Sequence, residues 1–112
     1  MNYYEIWVNL KPGEKDMELV KAVNDYLGWL KGQGTIESWS IKRRKFGFGP
    51  AELGDFNISI GVKNLTQLEE AFNHAATRSG EVEKLHIEVY RRVVDFKSAL
   101  YRDFPDDVRS AE

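Results

Sequence analysis

The sequence predicts an α+β domain of order β-α-β-β-α-(α)-β built on a four-stranded antiparallel sheet. Three observations carry that expectation. Residues 2–10 and 55–63 alternate apolar and polar side chains, the segments after each of them repeat apolar residues at helical spacing, and a further alternating stretch precedes 55–63 across a glycine-rich loop. At 112 residues and 42% apolar, the chain is long enough for one core without staples.

The elements follow in order. In residues 2–10, Tyr4, Ile6, Val8 and Leu10 share one face and Tyr3, Glu5, Trp7 and Asn9 the other, which makes a strand. Pro12-Gly13 breaks it. Asp16 is a suitable N-cap for a helix carrying Met17, Val20, Val23, Leu27 and Leu30, which Gly32 and Gly34 end. A second strand is expected from Thr35 to Phe46, with Trp39 and Ile41 opposed to Ser38, Ser40 and Lys42. FGFGPAELG, residues 46–54, is too long for a tight hairpin and reads as a loop. Its glycines do not follow a strand and open a helix, so it is no phosphate cradle. Residues 55–63 set Phe56, Ile58, Ile60 and Val62 against Asn57, Ser59, Gly61 and Lys63. Asn64 or Thr66 caps a second helix with the stripe Leu65, Leu68, Phe72 and Ala75, ending near Ser79-Gly80; Ile58 and Phe72 are expected in the core. Val82, Leu85, His86, Val89 and Val93 recur at helical intervals and predict a short third helix to about Arg92. The last strand is expected from Asp95 to Phe104, stopped by Pro105. Residues 1–105 therefore read as one domain, and 106–112 as a frayed polar tail. This is the order of two βαβ halves of the ferredoxin-like type. Right-handed crossovers put both main helices on one face of the sheet and leave the other uncovered.

Composition excludes several function classes. With 16 Lys+Arg against 18 Asp+Glu the net charge is −2, which argues against a general nucleic-acid partner. The absence of cysteine removes disulfides and thiolate catalysis and is compatible with a reducing cytosol. No apolar run approaches the ~20 residues that span a bilayer, and MNYYEIWVNL lacks a basic n-region and a cleavage site. A cytoplasmic location without a membrane partner is expected. Neither histidine has a His, Cys or carboxylate at ligand spacing, so no metal and no cofactor is called for.

The uncovered face is the informative one. The chain carries three tryptophans, five tyrosines and six phenylalanines, more rings than a small core normally needs. Tyr3 and Trp7 would sit in the middle of a wet surface unless two copies pack these faces together around a mixed polar and aromatic space. Ligand contacts are then expected from Tyr3, Trp7, Asn9, Ser40 and Asn57. In the run Lys42-Arg43-Arg44-Lys45, alternation sends Lys42 and Arg44 to one face, where Arg44 could take an anionic group. Two candidates could move a proton. Glu5 would have its pKa raised by desolvation inside a cavity, and His86 lies on the apolar side of the third helix. The plainer reading of His86 is a half-buried histidine satisfied by one hydrogen bond. His74 is expected on a solvated flank, and Tyr101 and Arg102 alternate across the last strand in structural roles.

IWVNLKPG at 6–13, RRKFGFGP at 43–50 and ALYRDFPDD at 99–107 together resemble a small bacterial family of uncharacterised proteins. That family is similar to a branch of the dimeric α/β-barrel superfamily, in which two ferredoxin-like protomers close their sheets into one barrel. The resemblance implies the fold and a homodimer. Superfamily members include cofactor-free monooxygenases, haem-degrading enzymes, lactone isomerases, dye-decolourising peroxidases and stress-responsive proteins, several with a functional histidine in the region of His86. It implies little about chemistry, because site and fold are separable. The function expected is a homodimer binding a small aromatic or apolar ligand between its sheet faces. One alternative is a cofactor-free monooxygenase- or isomerase-like enzyme in which Glu5 or His86 moves a proton. Another is a structural dimer whose faces meet without a cavity.

Overall fold

In a computed structural model, which describes residues 1–77 and 79–106, the alternation of residues 2–10 becomes β1 (Asn2–Leu10), a strand paired on both sides. After it come α1 (Asp16–Gly32), β2 (Ser38–Arg43), β3 (Phe56–Val62), α2 (Leu65–Ala76), α3 (Gly80–Tyr90) and β4 (Val93–Arg102). The sheet order is β2-β3-β1-β4, with every neighbour antiparallel. The element order matches the expectation, including the short third helix. The tail beyond residue 106 lies outside the described residues.

Register fixes the faces, because residues directly opposite one another point the same way. Val8 pairs with Phe56, Ile6 with Ile58, Tyr4 with Ile60, and Ile41 also with Ile58. These residues face the helices. There Val8, Phe56, Ile58, Ile60 and Val62 are buried against Leu19, Val23, Tyr26, Leu27 and Leu30 of α1, with Leu68 and Ala71 of α2 and Val82 of α3. Gly54, just before β3, lies so close to the Val8 backbone that a Cβ would overlap it, so no larger residue fits there.

Four expectations change. Phe72 is not core: it is 45% exposed. The buried side of α2 carries Gln67, Leu68 and Ala71, so of the expected stripe only Leu68 is buried, and Gln67 is held there by three polar partners. Its Oε1 accepts from the Lys63 amide at 2.7 Å, and its Nε2 donates to Gly34 O at 2.9 Å and Glu37 Oε2 at 2.8 Å. Asp16 is the first residue of α1 and not its cap, although its Oδ1 accepts from the Met17 amide at 2.7 Å. The cap of α2 is Asn64, whose Oδ1 accepts from the Gln67 amide at 2.9 Å. β2 stops at Arg43 and not Phe46, since the Arg44 side chain turns into the following loop and donates to Pro50 O at 2.8 Å and Leu53 O at 2.6 Å. β4 starts two residues early, at Val93, and is bulged opposite Trp7–Asn9, where Asp95 takes a positive φ of 59°.

The helix layer does not cover the sheet evenly. α1 packs on β2 and on α3, and α2 packs on β3 and α3. The helix-side face of β4, with Phe96 and Leu100, is left exposed.

Candidate ligand-binding cleft

The uneven cover creates a cleft between β1 and β4 on one side and α1, α2 and α3 on the other. Two lobes, of about 120 Å³ and about 210 Å³, share Ile6, Tyr26, Leu27, Ile60, His86 and Phe96 as walls. Val89, Tyr90 and Val93 line the smaller lobe, and Tyr4, Leu68, Phe72 and Ala75 the larger one. Each side chain arrives there for a local reason. Ile6 and Tyr4 are inward residues of β1, Tyr26 and Leu27 lie on the buried stripe of α1, and His86 and Tyr90 are one turn apart on α3. Phe72 leans its ring edge-on against Tyr4, centroids 5.1 Å apart, and so forms a rim of the cleft.

The cleft is apolar with one histidine. His86 sits between Tyr26, centroids 5.3 Å apart, and Tyr90, 6.2 Å apart. Burial lowers its pKa below 6.5, since the imidazolium would lose its hydration there. Burial also pushes the Tyr26 hydroxyl up to about 12, which keeps it a neutral donor. Among the described residues, no group of three His, Cys, Asp or Glu stands where it could hold a metal ion.

The residues singled out in the sequence lie on the opposite side of the sheet, apart from His86. Glu5, in the middle of the open face, accepts from Asn57 Nδ2 at 3.2 Å and from the Ser59 hydroxyl. Asn57 also donates to Ile6 O at 3.2 Å. Asn9 is a structural clasp: its Oδ1 accepts from the Asp55 amide at 2.9 Å and its Nδ2 donates to Asp95 at 3.2 Å. Tyr3 stands at the far end and donates to Asp103 at 3.3 Å; burial, followed by that carboxylate, raises its pKa. Ser40 accepts from Lys42 Nζ at 3.3 Å. Trp7, Asn57 and Arg44 do meet, in a groove of about 280 Å³ completed by Lys42, Phe48 and Pro50. Arg44 enters that groove with its guanidinium already bonded to loop carbonyls. His74 is less solvated than expected, because its ring stands edge-on to Trp29 at 5.1 Å.

All 112 residues of the chain, 1–112, match the Family of unknown function (DUF6614). The chain belongs to that family. Among curated proteins, none matches this DUF6614 member. Among solved structures it is similar to a dimeric protein of unknown function and ferredoxin-like fold from Bacteroides fragilis NCTC 9343. The identity is 10%, the TM-score 0.55, and the match covers 91% of this chain and 95% of the other. The fold is thus ferredoxin-like, a four-stranded antiparallel sheet with three helices on one face. No helix among the described residues is long and apolar enough to cross a membrane.

Sequence reasoning missed Tyr26, Tyr90 and Phe96 as site residues. One signal for them was present. Phe96 and Leu100 share a face of β4, which puts two large apolar side chains on the helix side of an edge strand.

Proposed function

We propose that this DUF6614 domain is a homodimer, joined through its open sheet faces, that binds a small, flat, mostly apolar molecule in the helix-side cleft. The observation that carries this reading is the pair of adjoining apolar lobes that share His86 as a wall. Apolar walls supply area and one or two polar groups set orientation, which suits a conjugated molecule carrying a hydroxyl or carbonyl. The ligand site expected between two sheet faces moves to the other side of the sheet in this proposal. Closing the open faces and holding a ligand are then separate tasks on separate surfaces, and the dimer interface needs no cavity. The dimeric state of the Bacteroides fragilis protein, and Tyr3 and Trp7 on the open face, support the association. Residues 1–105 act as one unit in this reading, in a reducing compartment such as the cytoplasm.

Binding is favoured over an oxygenase- or isomerase-like activity by one geometric fact. Glu5, one of the two residues that could move a proton, lies on the face opposite the cleft with its carboxylate held by Asn57 and Ser59, so of the two only His86 would meet a ligand there. The test uses 1-naphthol as probe. Saturation-transfer NMR should detect its binding to the wild type, and Ala75→Phe, which fills the larger lobe, should abolish it. Binding that survives Ala75→Phe and disappears in Trp7→Ala would move the site to the open face.

A further inference from the structure

The net charge of −2 is not spread evenly over the molecule. At the β2–β3 loop end of the sheet, the open face collects cations around one large ring. Register sets Lys42, Asn57, Trp7 and Lys97 side by side in a single row across the four strands. Arg44 follows two residues beyond Lys42, on the same face. Arg43 between them turns to the helix side, where its Nη1 donates to Asp16 Oδ2 at 2.9 Å and its guanidinium lies 5.1 Å from the centre of the Phe56 ring. Lys42 and Arg44 are thus left on the side of Trp7.

Little neutralises these cations. Among the described residues Lys97 pairs with no carboxylate, and Lys42 reaches only the Ser40 hydroxyl, at 3.3 Å. Arg44 is fixed without being neutralised: its bonds to Pro50 O and Leu53 O both leave from Nη2, and its Nη1 and Nε donate to no group among the described residues. Gly49 packs against that guanidinium so closely that a Cβ there would lie 3.0 Å from Nε, so the loop is fitted to the arginine. The charge is in place before any ligand arrives. Beside it, Trp7, Phe48 and Pro50 line a groove of about 280 Å³ together with Lys42, Arg44 and Asn57, close to the ~300 Å³ at which small-molecule sites begin. Asp55 is the one carboxylate among the lining residues. Trp7 is half-buried, and its indole N–H has no acceptor among the described residues, whereas the Trp39 indole is committed to Asn24 at 3.0 Å. A flat ring laid on Trp7 gains area, and a carboxylate on that ring meets Lys42 and Arg44. We propose that this groove is a binding site for a small aromatic carboxylate, with Trp7 and Phe48 as its walls and Lys42 and Arg44 as the charge that selects an anion. The groove belongs to one chain and lies on the face away from the apolar cleft, so its ligand depends on neither the cleft nor the dimer.

Sodium 1-naphthoate is the probe, and 1-naphthol, the same ring system without the carboxylate, is its control. In ¹⁵N-edited NMR titrations naphthoate should shift the Trp7 indole N–H saturably, together with the amides of Arg44, Phe48 and Gly49, and leave the Trp29 and Trp39 indoles in place. Lys42 is exposed and bonds only Ser40, so Lys42→Gln removes charge at an unchanged urea midpoint. It should weaken naphthoate binding about fivefold, Lys42→Arg should restore it, and added salt should weaken it in the wild type. Naphthol that shifts the Trp7 indole as strongly as naphthoate would mean a ring site with no choice of charge and overturn the proposal. Equal naphthoate affinity in the wild type and in Lys42→Glu would overturn it as well. Naphthoate that moves the His86 ring and leaves the Trp7 indole still would place the anion in the cleft and overturn the groove, whereas binding of 1-naphthol in the cleft is judged separately by Ala75→Phe.

Discussion

At the scale of single residues, two apolar side chains of the helix layer and the sheet beneath it differ in depth. Ile58 and Phe72 look alike in sequence as inward apolar residues, yet Ile58 is buried under the helices and Phe72 leans out over the cleft. Ile58→Ala should therefore cost roughly 2–5 kcal/mol by urea denaturation, and Phe72→Ala only about 1 kcal/mol, mostly its edge contact with Tyr4. Equal losses would contradict the uneven helix cover. His86 gives a prediction with a sign. Its pKa is lower in the folded protein than the 6.5 of a free imidazole, so the unfolded chain takes up the proton first. The stability that neutral His86 contributes is complete above pH about 6.5 and is lost as pH falls through its folded value. The urea midpoint should drop between pH 7.5 and 5.5, and His86→Phe should flatten that drop. An unaltered slope in the variant would show that His86 is not desolvated.

At the scale of elements, a polar anchor ties together the segments beside the cleft. Arg92, between α3 and β4, pairs with Glu14 at 2.8 Å, Glu18 at 3.2 Å and Glu88 at 3.0 Å, which ties the β1–α1 turn, α1 and α3 to one guanidinium. The hydrogen bonds from Arg91 and Arg92 hold the Glu88 carboxyl below its usual range. Arg92→Gln leaves Glu14 and Glu18 without that cation, while Glu88 keeps its pair with Arg91. It should lower the urea midpoint and speed amide exchange in α3 before α2; uniform loss of protection would contradict a local anchor. These contacts were not legible in the sequence. Alternation and helical spacing report faces, whereas Gln67 under α2 and Arg44 in the β2–β3 loop depend on partners more than five residues away. The boundaries of β2 and β4 moved for the same reason. What sequence does carry is the order of elements and the inward set of β1 and β3, since both follow from periods of two and three to four.

At the scale of the whole molecule, the proposed reading gives the two faces of the sheet separate tasks. The open face, which carries Tyr3 and Trp7, takes a second copy in that reading, and Trp7→Ala should then weaken the dimer more than Trp29→Ala, since Trp29 belongs to α1. Sedimentation velocity across a concentration series measures both. In the same reading the helix side takes the ligand. The sequence pointed to the open face for both tasks, because exposed rings on a strand are visible in an alternating pattern and a gap between helices is not. The most direct measurement is methyl and aromatic NMR mapping of 1-naphthol on the dimer. The account predicts shifts at Ile6, Ile60, Val89 and Val93 and at the His86 ring, with the Trp7 indole and Ile41 unmoved. Shifts gathered at Trp7 and Asn57, with the His86 ring silent, would contradict it.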